Sequence, residues 1–325
     1  MEKRLQKIIL TLLLFISPLM FAQDVSQERM IRFALWASME AFPGVEKVEK
    51  DAFALPVRKI KEISPLDEKF TEVLERIALK PKILYYRGKM PENMVLDGKM
   101  RRVPTVAIVG TRRNTRYGEE VAYRAAYECA KAGAVVVSGL AYGIDSIAHR
   151  GALDAGGITI AVLGTRIDRV YPSAHEQLGE EIIEKGGAII SERGAGEVLN
   201  GTEIKTTFLQ RNRIISGLAD VVLVVEAAEK SGSLNTAMHA IEQGRELFAV
   251  PGNINRIMSA GCNQLIASAA LVYTKPQDLI DKLFPGSRAG STRKRRKFVG
   301  GSPDEQKVME RLRGGVYDGD ESAQE

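Results

Sequence analysis

Residues 208–226 read FLQRNRIISGLADVVLVVE, and this stretch decides the fold. The apolar residues of its first half recur at helical spacing, which predicts a helix over residues 208–218. The second half contains Val221–Val225, an uninterrupted apolar run without alternation. Such a run is typical of a strand whose two faces are both covered. The stretch therefore predicts a helix that leads directly into a buried strand of an α/β sheet.

Arg211, Asn212 and Arg213 stand near the predicted start of that helix. Cations there oppose the helix dipole and add nothing to core packing. An internal ion-pair network would account for a single arginine. For two arginines beside the aromatic ring of Phe208, we favour an external ligand, and the phosphate backbone of a nucleic acid is the natural candidate.

The same alternation continues over most of the chain from Val103 onward. Short apolar runs alternate with helical segments, and the joints are rich in Gly, Ser and Thr. This order predicts a doubly wound, mostly parallel sheet with right-handed crossovers. The predicted strands are Val106–Val109, Ala134–Val137, Thr159–Leu163, Ala188–Ile190, Val221–Val225 and Leu247–Val250. The predicted helices cover residues 117–132, 144–155, 174–185, 208–218 and 233–243, and helical spacing also marks Phe70 to Leu79.

The residues after the predicted strands indicate where a ligand would bind. Ligands of such sheets bind beyond the carboxyl ends of the strands. Glycine lets a ligand approach the backbone, and free N–H groups at the following helix starts attract anions. Any single turn of this kind is common in α/β proteins, but several together, two of them with arginine, favour phosphate binding. These turns include Gly110-Thr111-Arg112, Ser138-Gly139, Gly164-Thr165-Arg166, Ser191-Glu192, Ser231-Gly232-Ser233 and Pro251-Gly252.

Several enzyme classes lack support in the sequence. Neither the dinucleotide fingerprint after the first strand nor a P-loop motif is found. The two cysteines and three histidines have no metal-ligand spacing, so neither a metal nor a cofactor is expected. We interpret Glu226 as a cap of the Ser231-Gly232-Ser233 turn rather than a base, and Asp145 as a helix cap. His149 is expected to be a packed helix residue.

Composition and charge are those of a globular protein. The chain has 325 residues, of which 45% are hydrophobic and 27% charged, and a formal net charge of +5. Arg288 and the run at 293–297 carry six positive charges, so the remainder is near neutral. A nucleic-acid site must therefore come from the local placement of cations rather than from the overall charge.

Both ends of the chain differ from its middle. Residues 1–22 resemble a secretory signal, with a basic start and a short apolar run, while a mis-assigned start or a fused segment is the alternative interpretation of the uncertain segment 1–60. Residues 61–286 form the predicted main domain, and 287–301 form a basic linker. Residues 302–325 begin with the capping-box pattern of a helix and are too short to fold alone.

Many short motifs in register resemble the DNA-processing protein A (DprA/Smf) family. Their order and spacing agree from about Lys80 to Leu283. They are Ala107–Arg112, Tyr117-Gly118, Ser138–Asp145, Ala148–Leu153, Tyr171-Pro172, Ser191-Glu192, Phe208 with Arg211–Arg213, Glu226 with Ser231–Ser233, and Pro251-Gly252.

This resemblance implies an extended Rossmann-like domain that binds single-stranded DNA and has no firmly attached reaction. It implies a cytoplasmic homodimer, without membrane contact and despite the signal-like start, that protects incoming strands in natural transformation. It further implies help in loading the RecA recombinase, and it identifies residues 302–325 as the remnant of a winged-helix domain. Carried over by position, the DNA-binding residues are Arg112, Ser138, Gly139, Lys205, Phe208, Arg211, Asn212 and Arg213.

Two other functions stay open at this point. An enzyme acting on a nucleotide derivative, like the Rossmann-like phosphoribohydrolases, would use the same edge of the sheet. Their Pro-Gly-Gly-x-Gly-Thr-x-x-Glu turn is absent, since the comparable segment reads Ser231-Gly232-Ser233-Leu234-Asn235-Thr236. A secreted protein would be cleaved near Ala22. Phe208 also has an alternative role, as a core anchor at a helix start.

Overall fold

The computed structural model of the chain describes residues 60–96, 99–197, 201–268 and 270–285, except the side chains of residues 96, 99 and 201–205. The basic linker 287–301, the segment 302–325 and the signal-like residues 1–22 lie outside this description. Within the described ranges, each helix is too short or too polar to cross a lipid bilayer.

A nine-stranded sheet forms the centre of the molecule, in the order β1-β2-β8-β7-β6-β5-β9-β10-β11. The seven strands β8, β7, β6, β5, β9, β10 and β11 are mutually parallel. Strand β2 pairs antiparallel with β8, and β1 pairs antiparallel with β2. A separate hairpin consists of β3 and β4. The strands are β1 Lys61–Ile63, β2 Leu84–Gly88, β3 Met94–Leu96, β4 Lys99–Arg101, β5 Thr105–Val109, β6 Val135–Ser138, β7 Thr159–Val162, β8 Ala188–Ser191, β9 Val221–Val224, β10 Glu246–Ala249 and β11 Leu271–Val272.

Helices cover both faces of this sheet. Alternate residues of β5 show why, because Val106 and Ile108 pack into one core while Ala107 and Val109 pack into the other. The helices are α1 Arg116–Lys131, α2 Ile144–Asp154, α3 Glu176–Glu184, α4 Gly201–Leu218, α5 Gly232–Glu242, α6 Ile257–Ser268 and α7 Pro276–Leu283. The predicted doubly wound, mostly parallel α/β architecture is confirmed, and so are its six predicted strands within one or two residues.

The chain order places a topological switch point between β5 and β9. Strands β5 to β8 follow one another to one side, and α4 then carries the chain back to β9 on the other side of β5. In open α/β sheets, ligands bind at the carboxyl edge near such a point. We call this edge the crest.

Helix α4 begins at Gly201 rather than at the predicted residue 208. Residues 201–207 include one glycine and three threonines, which have low intrinsic helix propensity, and tertiary packing overrides that preference here. Arg211 and Arg213 consequently lie in the helix interior, so the argument that they oppose the helix dipole at its start is wrong.

The predicted helix over residues 70–79 is also corrected. Glu72–Arg76 forms a 3₁₀ helix with i to i+3 hydrogen bonds, such as Leu74 N–H to the Thr71 carbonyl. Phe70 and Leu74 are buried in the core on the side of α4. The spacing of the apolar residues was thus a correct sign of burial, but the segment is too short for a full α-helix.

Candidate nucleic-acid interface

The turn after β5 is held firmly at the crest. Thr111 N–H donates to the carbonyl of Glu226 at 2.8 Å, and Ile144 N–H donates to the Thr111 carbonyl at 3.2 Å. Gly143 has φ +75°, and a Cβ there would stand 2.4 Å from the Thr111 carbonyl oxygen. The start of α2 therefore packs directly on this turn, and only glycine fits the close approach. The exposed side chain of Arg112 projects from a rigid backbone.

Phe208 forms the aromatic centre of the site. Its ring centroid lies 5.5 Å from the guanidinium carbon of Arg112 and 5.8 Å from that of Arg211, within cation–π range. The ring of Tyr171, which is half exposed, lies 5.6 Å away at a tilt of 51°. A Cβ on Gly164 would stand 2.7 Å from Phe208 Cδ1, so the glycine lets the ring sit against the turn after β7.

Arg211 is buried beneath this ring instead of facing solvent. Its Nη1 donates to the carbonyl of Gly139 at 2.8 Å and also to the carbonyl of Val162, and its Nε donates to Asn212 Oδ1 at 3.2 Å. Burial lowers the pKa of Arg211 to about 10, although the nearby carboxylate of Asp145 acts to raise this pKa. The guanidinium remains charged at neutral pH and joins α4 to the ends of β6 and β7.

Ser138 and Gly139 shape the same place. A Cβ on Gly139 would stand 2.6 Å from both terminal nitrogens of Arg211 and from Asp145 Oδ2. Ser138 is buried, and its hydroxyl donates to the carbonyl of Ile108 at 2.6 Å. Burial raises the pKa of Asp145, and the adjacent Arg211 opposes that rise. These residues build the floor of the site.

Asn212 and Arg213 have internal partners as well. Asn212 Nδ2 donates to the carbonyl of Gly232 and to Asn235 Oδ1, which links α4 to α5. Arg213 makes a two-pronged ion pair with Glu192, at 2.8 and 2.7 Å, and its side chain is only 12% exposed. The internal ion-pair network weighed in the sequence analysis is therefore present. Lys205 lies in the first turns of α4, and its side chain is outside the described residues.

The prediction that Glu226 caps the Ser231-Gly232-Ser233 turn is wrong, because its carboxylate instead holds Thr115, the N-cap of α1. Its two oxygens accept from the N–H of Thr115 at 2.9 Å and from the Thr115 hydroxyl at 2.6 Å, at the start of α1. The turn at residues 231–233 is capped by the hydroxyl of Ser231, which accepts from Ser233 N–H. The geometry of Glu226 is that of a structural acceptor.

His149 is a packed helix residue, as predicted. Its Nδ1 lies 2.7 Å from the hydroxyl oxygen of Thr159, and that hydroxyl donates to the Val136 carbonyl, so Nδ1 carries the proton. Its Nε2 is buried without a hydrogen-bond partner. Burial lowers the pKa of His149 to about 3. The prediction that Asp145 caps a helix is wrong, because Gly143 is the N-cap of α2 and Asp145 is its second helical residue. Its carboxylate accepts from Ala141 N–H in the preceding turn at 3.4 Å.

Two exposed tyrosines at the crest were not identified from the sequence as site residues. Tyr171 lies beside Phe208, and Tyr142 packs edge-on against His175 with ring centroids 5.0 Å apart. Both belong to motifs that the sequence analysis noted, Tyr171-Pro172 and Tyr142-Gly143. The available signal was an aromatic residue beside a turn-forming Gly143 in one case and Pro172 in the other.

The fold defines the class of the protein, a doubly wound Rossmann-like α/β domain whose crest combines an exposed cation with partly exposed aromatic rings. The family model described as DNA recombination-mediator protein A matches residues 61–284. The chain belongs to that family.

Sequence relatives agree with this assignment. The chain is 39% identical over 220 residues to protein Smf of Escherichia coli strain K12, which covers 67% of this chain and 57% of that protein. It is 38% identical over 223 residues to DNA processing protein DprA of Streptococcus pneumoniae, covering 69% of this chain and 74% of the relative. The chain thus spans somewhat more than half the length of the first of these relatives.

Solved structures show the same fold. DNA processing protein A from Streptococcus pneumoniae superposes with a TM-score of 0.59 at 37% identity, covering 70% of this chain and 75% of that one. DNA processing protein A from Helicobacter pylori gives a TM-score of 0.58 at 32% identity, covering 69% and 95%. The Helicobacter protein was solved in work on its single-stranded DNA binding mode. These matches confirm the extended Rossmann-like fold.

Proposed function

We propose that the crest binds single-stranded DNA through Phe208 and Arg112. The observation that carries this proposal is the partly exposed Phe208 ring with the exposed Arg112 guanidinium 5.5 Å from its centroid. Single-strand binders combine aromatic rings, on which bases stack, with cations that follow the backbone. Arg112 supplies a phosphate partner, and Phe208 with Tyr171 supplies a stacking surface.

The other residues carried over from the family contribute to binding mainly through the shape of the site. Arg211, Asn212 and Arg213 use their polar groups on internal partners, while Ser138 and Gly139 form the floor. We therefore infer that they hold Phe208 and the turns of the crest in place. Lys205 remains a proposed phosphate contact, because its position on α4, one turn before Phe208, is on the same helix face.

We further propose that the protein protects incoming strands in natural transformation and helps to load RecA onto them. Membership in a family described as recombination mediators supports this, as do the names of its DNA-processing relatives. A cytoplasmic homodimer fits that role. Recombinase assembly on a strand already covered by single-strand binding protein, measured with and without this chain, tests the loading step, and sedimentation analysis tests the dimer.

We propose a binding protein rather than an enzyme. The carboxylate of Glu226 accepts both hydrogen bonds of Thr115, the N-cap of α1, and the ring of His149 is buried away from the crest surface. Neither is placed as the general base that a phosphoribohydrolase would need. Release of free base from nucleoside monophosphates by the purified protein would favour the enzyme instead.

The binding proposal is tested by fluorescence anisotropy of labelled oligo-dT across a salt series. Arg112→Ala should weaken binding and reduce the slope of log K against log salt by about 0.7, the value for one phosphate contact on a single strand. Phe208→Leu should cost about 1–3 kcal/mol by removing one stacked base. Lys185→Ala, an exposed cation at the opposite edge of the sheet, is the matched control. Unchanged affinity in both crest variants would refute the proposal.

A further inference from the structure

A second surface with aromatic rings lies beyond the crest. The groove between α1, α2 and α3 has a volume of about 1160 Å³, and we call it the α1–α2–α3 groove. Its walls include Arg116, Tyr123 and Tyr127 from α1, Ile147 from α2, and His175 and Leu178 from the segment that leads into α3 and from α3 itself. The groove is open to solvent along its length and is separate from the Phe208 site.

Two tyrosines form a ready stacking surface in this groove. The rings of Tyr123 and Tyr127 lie 6.1 Å apart with an angle of only 21° between their planes. Tyr123 is 38% exposed, and its hydroxyl donates to Asp154 Oδ2 at 2.9 Å, which fixes the ring orientation. Lys131 Nζ lies 5.7 Å from the centre of the Tyr127 ring. Nearly parallel, partly exposed rings next to a cation are the arrangement on which bases stack.

The groove is continuous with the crest. The end of the groove nearest the crest contains His175. Its Nδ1 donates at 2.8 Å to the carbonyl of Leu140, which lies in the turn after β6. The half-exposed ring of Tyr142 packs edge-on against His175 and precedes Gly143, which touches the Arg112 turn. A chain that leaves Arg112 therefore passes Tyr142 and His175 before it enters the groove.

The distances suit a short stretch of nucleic acid. Tyr127 stands eleven residues after Arg116 on α1, or roughly 16 Å along the helix axis at 1.5 Å per residue. At roughly 3.4 Å per nucleotide, the stacked spacing of one strand, about five nucleotides would span it. The length of the groove along α1 is thus that of a strand segment rather than of a single nucleotide.

The charges of the groove predict how binding there depends on salt. Arg116, Arg124 and Arg150 line it together with Glu119 and Glu120, and Arg150 is paired with Glu181. The lining is close to neutral, so stacking on the tyrosines must supply most of the binding free energy. Contacts in the groove should therefore add affinity with little added salt dependence.

From this geometry we infer that a single strand bound at the crest continues into the α1–α2–α3 groove, where bases stack on Tyr123 and Tyr127. The inference rests on the proposed binding of single-stranded DNA at the crest. It assigns to the groove the part of a longer strand that the Phe208 site cannot reach.

The test compares binding of labelled oligo-dT of about six and about twenty nucleotides to the full chain, the second length lying above the usual site sizes of about 4–16 nucleotides. A longer strand offers more starting positions for the same site, and this alone raises its apparent affinity. The wild type should bind the longer strand more tightly than this statistical effect predicts. Tyr123→Leu with Tyr127→Leu should weaken binding of the longer strand about tenfold and leave the shorter one unchanged. The salt slope should stay the same, because no cation is removed. Met238→Leu, an exposed residue on the far face of the sheet, is the control.

Each outcome separates this inference from the proposed function. If the double leucine variant and the wild type bind the longer strand equally, the inference about the groove is overturned, while the proposed binding at the crest still stands. Failure of the wild type to bind either strand would overturn both. Tyr127→Phe keeps both rings and the bond from Tyr123 to Asp154, so it should bind like the wild type, and a loss there would refute stacking. Thermal unfolding of every variant confirms that it is folded.

Discussion

The guanidinium of Arg211 donates a 2.8 Å hydrogen bond to the carbonyl oxygen of Gly139, and this bond ties the middle of α4 to the turn after β6. The same group reaches the carbonyl of Val162 at the end of β7. One buried cation thereby fixes two turns of the crest and supports the ring of Phe208 from below. The position of the exposed site depends on a side chain that is itself only 5% exposed.

Replacement of Arg211 should therefore damage stability before it affects binding. Arg211→Ala leaves the carbonyls of Gly139 and Val162 without their donor and Asp145 without its neighbouring cation. We expect a loss of about 2–4 kcal/mol in the free energy of unfolding, measured by urea denaturation. Arg112→Ala, at an exposed position, should change stability by less than about 0.5 kcal/mol. An Arg211→Ala protein as stable as the wild type that has lost only DNA binding would make Arg211 a direct ligand instead.

The strands of the sheet differ in how far they could be predicted from the sequence. The strands β5 to β10 were predictable because each is covered on both faces and reads as an apolar run, as in Val221–Val225. The antiparallel strand β2, which lies between β1 and β8, was missed because Leu84–Gly88 mixes tyrosines and an arginine and has no such pattern. Fold class follows from the interior of the sheet, where burial leaves a clear pattern.

The site was harder to predict because its cations look alike in a sequence. Arg112, Arg211 and Arg213 were all predicted to bind DNA, yet the first is exposed and the other two are held by internal acceptors. Which of them has an internal partner depends on Gly139 and Glu192, residues far away along the chain. The early start of α4 at Gly201 added to the error, because it moved both arginines from the helix start to its interior.

The ion pair between Arg213 and Glu192 should stabilise the fold measurably. Both oxygens of Glu192 are engaged, and the side chains are 12% and 26% exposed, so solvent screens the pair only in part. A double-mutant cycle with Arg213→Met and Glu192→Gln should give a coupling free energy of about 1–2 kcal/mol by urea denaturation. The pair Lys282 and Glu246, about half exposed, should give less than about 1 kcal/mol. Equal coupling in the two pairs would contradict this.

Gly164→Ala should weaken binding of single-stranded DNA without removing any group that touches it. The new methyl would stand 2.7 Å from Phe208 Cδ1 and 3.1 Å from Phe208 Cα, so the ring has to move. We expect an affinity loss approaching that of Phe208→Leu, about 1–3 kcal/mol, in the same anisotropy assay. Gly244→Asn is the control, because residue 244 precedes β10 at the opposite edge of the sheet, a Cβ there meets nothing within 4 Å, and asparagine tolerates its φ of +66°. Wild-type affinity in Gly164→Ala would show that the position of the ring is unimportant.

The buried ring of His149 should make the protein sensitive to acid. Burial lowers its pKa to about 3, with further lowering from His175 and Arg211, whereas an unfolded histidine titrates near about 6.5. A lowered pKa in the folded state means that the unfolded chain binds the proton more readily. The stabilising contribution is therefore complete above about pH 6.5 and is lost as the pH falls towards about 3.

His149→Gln removes this titration, and its amide can still bond to the hydroxyl of Thr159. Urea unfolding of both proteins between about pH 7 and pH 4 should show the wild type losing stability relative to the variant by up to about 1.4 kcal/mol per pH unit below about pH 6. The carboxyl of Asp145, whose pKa burial raises, is common to both proteins, so its contribution largely cancels in the difference. A difference that stays constant over this range would mean that His149 is protonated in the folded protein, and that its Nε2 has found an acceptor.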